Sequence, residues 1–209
     1  MKNISQVEIK VKIHYNAYMK KFYHGSTNAN LTRLNVISKC NDNPSIKCAY
    51  VTDNYYYALF YIRDMDINIV TAWVDENGVA CYEEQFENQL EVLYKNQKGY
   101  IYHCKENESF KKSNTNGFFY LTSPVYFERA ERIENVYSKI TDAIKNGKIK
   151  LRKFKDVPKE RIDLLYASIA SKILKNNFFE DNQKLKDFYL KHYHNAWNLA
   201  LEEKEEKRT

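Results

Sequence analysis

Five histidines (His14, His24, His103, His192 and His194), four cysteines and scattered carboxylates are the groups able to do chemistry in this 209-residue chain. Their spacing excludes several classes. No HExxH occurs, and His192 and His194 are two apart on a predicted helix, so they do not share a face for zinc. Cys40, Cys48, Cys81 and Cys104 form no CxxC. His103 and Cys104 are adjacent on a predicted strand and point to opposite faces. There is no GxSxG, and Ser26 has no nucleophile-elbow context. Five glycines form neither GxGxxG nor a P-loop. What remains is "KKFYHGSTNANLTRL" at 20–34, where two aromatics run into His24, Gly25 and Ser26.

The elements that must position these residues follow from periodicity. Val7, Ile9, Val11 and Ile13 alternate with Glu8, Lys10 and Lys12, which predicts a half-buried strand within 1–19. "KFYHGS" predicts a short strand breaking at Gly25, "ANLTRLN" a turn of helix, and "NDNPS" a loop. "KCAYVTD" (47–53) predicts a second strand. Thr52 or Asp53 then caps a helix, "NYYYALFYIRDM", on which Tyr57 and Tyr61 share a face. Two apolar runs around "ENG" predict a hairpin from "INIVTAWVD" to "VACYEEQ". "FENQLEVLYKNQ" reads as a short helix, "GYIYHCKE" as a strand, "ENESFKKSNTNG" as a loop, and "FFYLTSPVYF" as a strand broken by Pro124.

Beyond about residue 130 the period becomes helical. Ile133, Val136, Ile140 and Ile144 mark one helix closed by Gly147. "KIKLRKF" alternates as a basic strand. Ile162, Leu165, Ile169 and Ile173 mark a second helix entered at Pro158. "NQKLKDFYLKHYHNAWNLALEEKEEKR" reads as one long helix. The expectation is an α+β protein, with a strand-rich core at 1–130 and a helical section at 131–209 packed on it.

"FYHGS", followed by "AYVTD" and then "YYYALFYI", resembles the ADP-ribosyltransferase fold. More narrowly, it is similar to the His–Tyr group that includes poly-ADP-ribose polymerases and rifampin ADP-ribosyltransferases. The likeness covers roughly residues 20–62, and 63–127 only by strand order. It implies split antiparallel sheets and NAD as substrate. It implies a nicotinamide pocket with His24 and Tyr50 as catalytic positions, Tyr50 and Tyr61 sandwiching the ring, and Tyr23, Gly25, Ser26 and Thr52 completing the lining. Gly25 would bring bare backbone to the carboxamide, and His24 would bond the adenosine-side ribose. An oxocarbenium-like transition state calls for a carboxylate. The family carries it at the head of a later strand, but here 114–117 are Asn, Thr, Asn and Gly, and no Asp or Glu lies between Glu108 and Glu128. Glu128 is at the far end of that strand. Glu83 and Glu84 are alternatives that the spacing does not require.

Composition bounds the rest. A chain of this length with 44% hydrophobic residues buries a core. The 18 tyrosines and 11 phenylalanines line pockets or fill cores equally well. Cysteines without motif spacing, behind a polar opening at 1–12, predict reduced thiols in a cytoplasmic protein, with Cys40 and Cys48 as the one pair close enough to bridge. No apolar run approaches the roughly 20 residues of a membrane span. Formal charge is +6, and 145–161 alone holds eight Lys/Arg against Asp156 and Glu160. That segment supports the alternative function, a catalytically silent module binding nucleic acid or an acidic protein.

Overall fold

The computed structural model describes residues 20–67, 69–106 and 108–207. The strand expected within 1–19 lies outside the described residues. Strands β1 (Lys21–Ser26), β2 (Arg33–Leu34), β3 (Ser38–Lys39) and β4 (Lys47–Thr52) come first, followed by helix α1 (Tyr55–Ala58) and a 3-10 turn at Leu59–Tyr61. Next are the hairpin β5 (Thr71–Val74) and β6 (Ala80–Glu83), helix α2 (Gln89–Tyr94), and strands β7 (Gly99–Lys105), β8 (Phe110–Lys112), β9 (Phe118–Leu121), β10 (Val125–Tyr126) and β11 (Arg129–Ile133). Helix α3 (Val136–Lys145), β12 (Ile149–Arg152), α4 (Lys159–Lys175), α5 (Gln183–His192) and α6 (His194–Glu206) complete the chain.

The main sheet runs β11-β7-β1-β4-β9-β8, with β3 added beside β4, and every pairing in it is antiparallel. Side chains alternate across it. Phe22, Val51, Cys104, Phe119 and Leu121 face one side, where they pack beneath Leu34 and Val125 of the paired β2 and β10. Tyr23, Tyr50, Ile101 and Phe118 face the other, against α1, α3 and the β5–β6 hairpin. A second, three-stranded sheet is ordered β12-β6-β5, with β12 parallel to β6. The protein is therefore α+β with several antiparallel sheets and a helical C-terminal part.

Several local expectations change. β1 does not break at Gly25, because β7 pairs with it through Ser26. "ANLTRLN" holds strand β2 instead of a helical turn, with Arg33 opposite Tyr126. The supposed loop before Phe118 contains β8, whose short length hid its alternation. "AERI" is the edge strand β11, and the helix begins only after Asn135, whose side chain accepts from the Ser138 N–H. Likewise Asn54, not Thr52 or Asp53, caps α1 by accepting from the Tyr57 N–H.

The expected boundary at 130 falls inside β11. Val136, Ile140 and Ile149 belong to the same core as α1 and β6, so the division between cores lies after β12. The helical section has its own core around Ile169, Ile173, Tyr189 and Trp197. Its last helix is two helices. Tyr193 leaves helical geometry at φ −131°, and its buried hydroxyl donates to Gln85 Oε1 at 2.8 Å. Gln85 N–H in turn donates to Gln89 Oε1, and Gln89 Nε2 donates to Ile69 O. This buried polar chain docks the section on the hairpin.

Candidate functional site

The cleft arises where two neighbouring strands part. β1 pairs with β7 along all of its six residues, whereas β1 and β4 share one pair, Tyr23 opposite Thr52. Beyond that pair the strands splay. Tyr50 O would otherwise be left without a ladder donor, and His24 Nδ1 reaches it at 3.2 Å. A carbonyl only accepts, so Nδ1 carries the hydrogen, and Nε2 of the neutral ring is an acceptor. Burial lowers the His24 pKa, against the opposing effect of the Tyr50 carbonyl, so the ring is neutral at pH 7. His24 also stacks on Phe127, 6.2 Å between centroids.

A cavity of 390 Å³ occupies the opening. Tyr23, His24, Gly25, Ser26, Tyr50, Thr52 and Tyr61, the seven residues expected to form a site, all line it. A second cavity of 620 Å³ continues past Tyr61 and shares His24, Gly25, Ser26 and Asn28 with the first. Tyr61 is held from behind by Tyr57, at 5.9 Å, and by Phe118, at 6.3 Å. Tyr57 itself is core, donating to Ala72 O. Tyr50 is fixed at its far end, where its hydroxyl accepts from Asn41 N–H at 2.6 Å and donates to Cys40 Sγ at 3.7 Å. Among the described residues the Tyr50 and Tyr61 rings make no contact with each other, so the two walls are separate.

Two of the seven are used differently from expectation. Gly25 is required by the helix: a Cβ there would stand 2.0 Å from Ala58 O and 3.2 Å from Tyr61 Cβ. The close approach that excludes a side chain thus comes from α1. The Thr52 hydroxyl, 2% exposed, donates to Gly117 O at 2.7 Å and accepts from Asn54 N–H at 3.1 Å. It latches β4 to the head of β9 and has little left to offer a ligand. Ser26 Oγ accepts from Asn28 N–H at the exposed rim.

The carboxylates are redistributed. Glu83 and Glu84 do not reach the cleft. Glu83 Oε1 and Oε2 bind Arg161 and Arg152, each at 2.6 Å, and Glu84 meets Lys153 and the backbone N–H groups of Leu90 and Phe154. Glu128 pairs with Lys105. Residues 114–117 build the β8–β9 turn: Asn114 N–H and Ser113 Oγ donate to Asp42, and Asn116 Nδ2 donates to Val74 O and Asp75 O. Among the described residues lining either lobe, Asp64 is the one acid. Lys184 donates to it from α5 and holds its carboxyl below the usual range.

Asp64 and Arg33 escape a reading of the sequence. Arg33 lines the smaller cavity from β2, a stretch that reads as helix, and no carboxylate pairs with it among the described residues. Asp64 follows Tyr61 by three positions, a spacing that carries meaning only once the chain is seen to turn under the second lobe.

The basic segment looks different in place. Lys145 pairs with Asp142, Lys150 with Asp75, Arg152 and Arg161 with Glu83, and Lys153 with Glu84. Five of its eight cations thus have carboxylate partners, three of them at Glu83 and Glu84. No described helix is long and apolar enough to cross a membrane. No family model matches the chain, and neither a curated protein nor a solved structure matches it.

Proposed function

We propose that the cleft binds the nicotinamide end of NAD and that the protein is ADP-ribosyltransferase-like. The observation that carries this reading is the convergence of His24, Tyr50 and Tyr61 on one cavity at the splay of β1 and β4. Tyr50 and Tyr61 offer two aromatic walls for a planar ring, and stacking of that kind is worth about 1–3 kcal/mol per ring by analogy with nucleobases. The neutral His24 offers Nε2 as an acceptor for a ribose hydroxyl. The second lobe gives the remaining nucleotide room, and both volumes lie in the range of ligand pockets.

The reaction class that goes with this site is displacement at the anomeric carbon. The C1′–N bond breaks with its electron pair leaving on nicotinamide, and an acceptor oxygen or nitrogen bonds to carbon and releases a proton. Asp64, the one acid lining either lobe among the described residues, is the carboxylate we assign to the positive charge at that carbon.

Thermal-shift titration with NAD and with nicotinamide tests the binding. Both ligands raise Tm, and Tyr50→Ala removes the effect. No shift at millimolar ligand, or a shift that survives Tyr50→Ala, overturns the reading. Chromatographic detection of released nicotinamide tests the transfer. Asp64→Asn retains the thermal shift and loses release; release at an unchanged rate removes Asp64 from the account.

A further inference from the structure

The four cysteines are all free and buried, but they are not equivalent. Cys104 packs in the apolar layer with Phe22 and Leu121, and burial pushes its thiol up to about 12. Burial also raises Cys81, which donates to Val79 O. Neither touches a second thiol among the described residues.

Cys40 and Cys48 do touch. Ser38 stands opposite Cys48 and Lys39 opposite Lys47, and Cys40 N–H extends the ladder by donating to Ile46 O at 3.1 Å. Cys40 and Cys48 therefore share a face of the β3–β4 pair on a cross-strand diagonal, near enough for each to shift the other's titration. Burial raises Cys40, but hydrogen bonds from Cys48, Tyr50 and the backbone of Asn43 and Asp42 outweigh it and hold this thiol below its ordinary value. Burial and the same contact with Cys40 raise Cys48. The more readily ionised thiol, Cys40, and the less readily ionised one, Cys48, thus stand side by side. Their cover is one loop thick: Asn41, Asn43, Pro44 and Ser45 are exposed. Exposed loops of this kind open at low cost.

We propose that Cys40 and Cys48 form a reversible disulfide, with Cys40 attacking and Cys48 resolving, and that this oxidation repositions Tyr50 in the cleft wall. The oxidant is a small-molecule disulfide. Cys40 attacks one of its sulfurs and expels a thiol, leaving a mixed disulfide. Cys48 then attacks Cys40 Sγ and expels the second thiol. Two S–H bonds and one S–S bond break; one S–S bond and two S–H bonds form. The link to the cleft is direct. The Tyr50 hydroxyl is held by Cys40 Sγ and by Asn41 N–H, the residue next to Cys40, so moving Sγ to its new bond alters both tethers.

The test treats the reduced full chain with glutathione disulfide. Trypsin cuts after Lys39, Lys47 and Arg63, so the 40–47 and 48–63 peptides stay joined only through the new bond. Expected are that linked pair, an intact mass lower by two hydrogens, full alkylation of Cys81 and Cys104, reversal by dithiothreitol, and glutathione trapped on Cys40 in Cys48→Ser. No reaction at Cys40, first modification of Cys48, or pairing with another cysteine overturns the disulfide. In ¹⁵N-labelled protein the Asn41 and Tyr50 amide signals move on oxidation; a disulfide that forms while both stay in place overturns the coupling to the cleft.

Discussion

Two regions of this molecule carry polar groups in quantity, and they use them in opposite ways. Along β6 and β12 the groups satisfy one another. Glu83 sits between Arg152 and Arg161, Glu84 accepts from Lys153 and two backbone amides, and Gln85, Gln89 and Tyr193 form a closed buried chain. In the cleft side-chain capacity is left over: His24, the faces of Tyr50 and Tyr61, and Arg33 all border space. The first region also borders a cavity, of 270 Å³, but the Glu83, Glu84 and Arg161 that line it are already paired. A binding site is recognised by unspent capacity around a void, which sequence composition does not report.

The sharpest way to break this contrast is to fill the scaffold behind the cleft. Gly25→Ala drives a Cβ into Ala58 O, and backbone cannot yield as a side-chain tip does. Chemical denaturation should show a loss of about 3 kcal/mol or more. A near-neutral result would mean α1 does not press on β1 as described. Next in size, Glu83→Ala leaves two guanidinium groups without their shared carboxylate. Both are about half exposed and can rehydrate, so the cost falls below the 3–5 kcal/mol of a fully buried pair, to about 2 kcal/mol. The proposed nicotinamide binding is expected to be unchanged in the folded variant; a loss of affinity would join the two regions that are separated here.

The smallest effect is pH dependence. Burial in the folded chain depresses the His24 pKa below its ordinary value of 6.5. Below that pH the unfolded chain binds the proton more readily, so stability is complete above about 6.5 and declines as pH falls. His103 and His192 are shifted the same way by burial and add to the slope. Each histidine contributes at most about 1.4 kcal/mol per pH unit. His24→Asn, whose amide can still donate to Tyr50 O, should flatten the curve by one histidine's share; an unchanged slope would place the proton elsewhere.

Much of the fold could be read from alternation and caps. β4, the β5–β6 hairpin, β7 and α4 stand where periodicity predicts them, and α3 does so past its first expected turn, because each carries enough residues for a period to repeat. β2, β8 and β10 are two or three residues long and carry no period at all. The break at Tyr193 was hidden for a different reason: its cause is a hydroxyl reaching Gln85, 108 positions away. The site divides along the same line. His24, Tyr50 and Tyr61 were visible as a pattern, whereas the reason for Gly25 was not, since α1 imposes it from across the sheet. The carboxylates could not be sorted from the sequence either. Whether Glu83 or Asp64 meets the cleft depends on how β6 and the 62–67 turn are aimed, and no local spacing encodes that.

Chemical-shift mapping of the ¹⁵N-labelled full chain with nicotinamide tests the central claim most directly. Saturable perturbations confined to the amides of His24, Gly25, Ser26, Tyr50 and Tyr61, with silence along 149–161, are the predicted result. Perturbations that map to 149–161 and spare β1 and β4, or none at millimolar ligand, would contradict it.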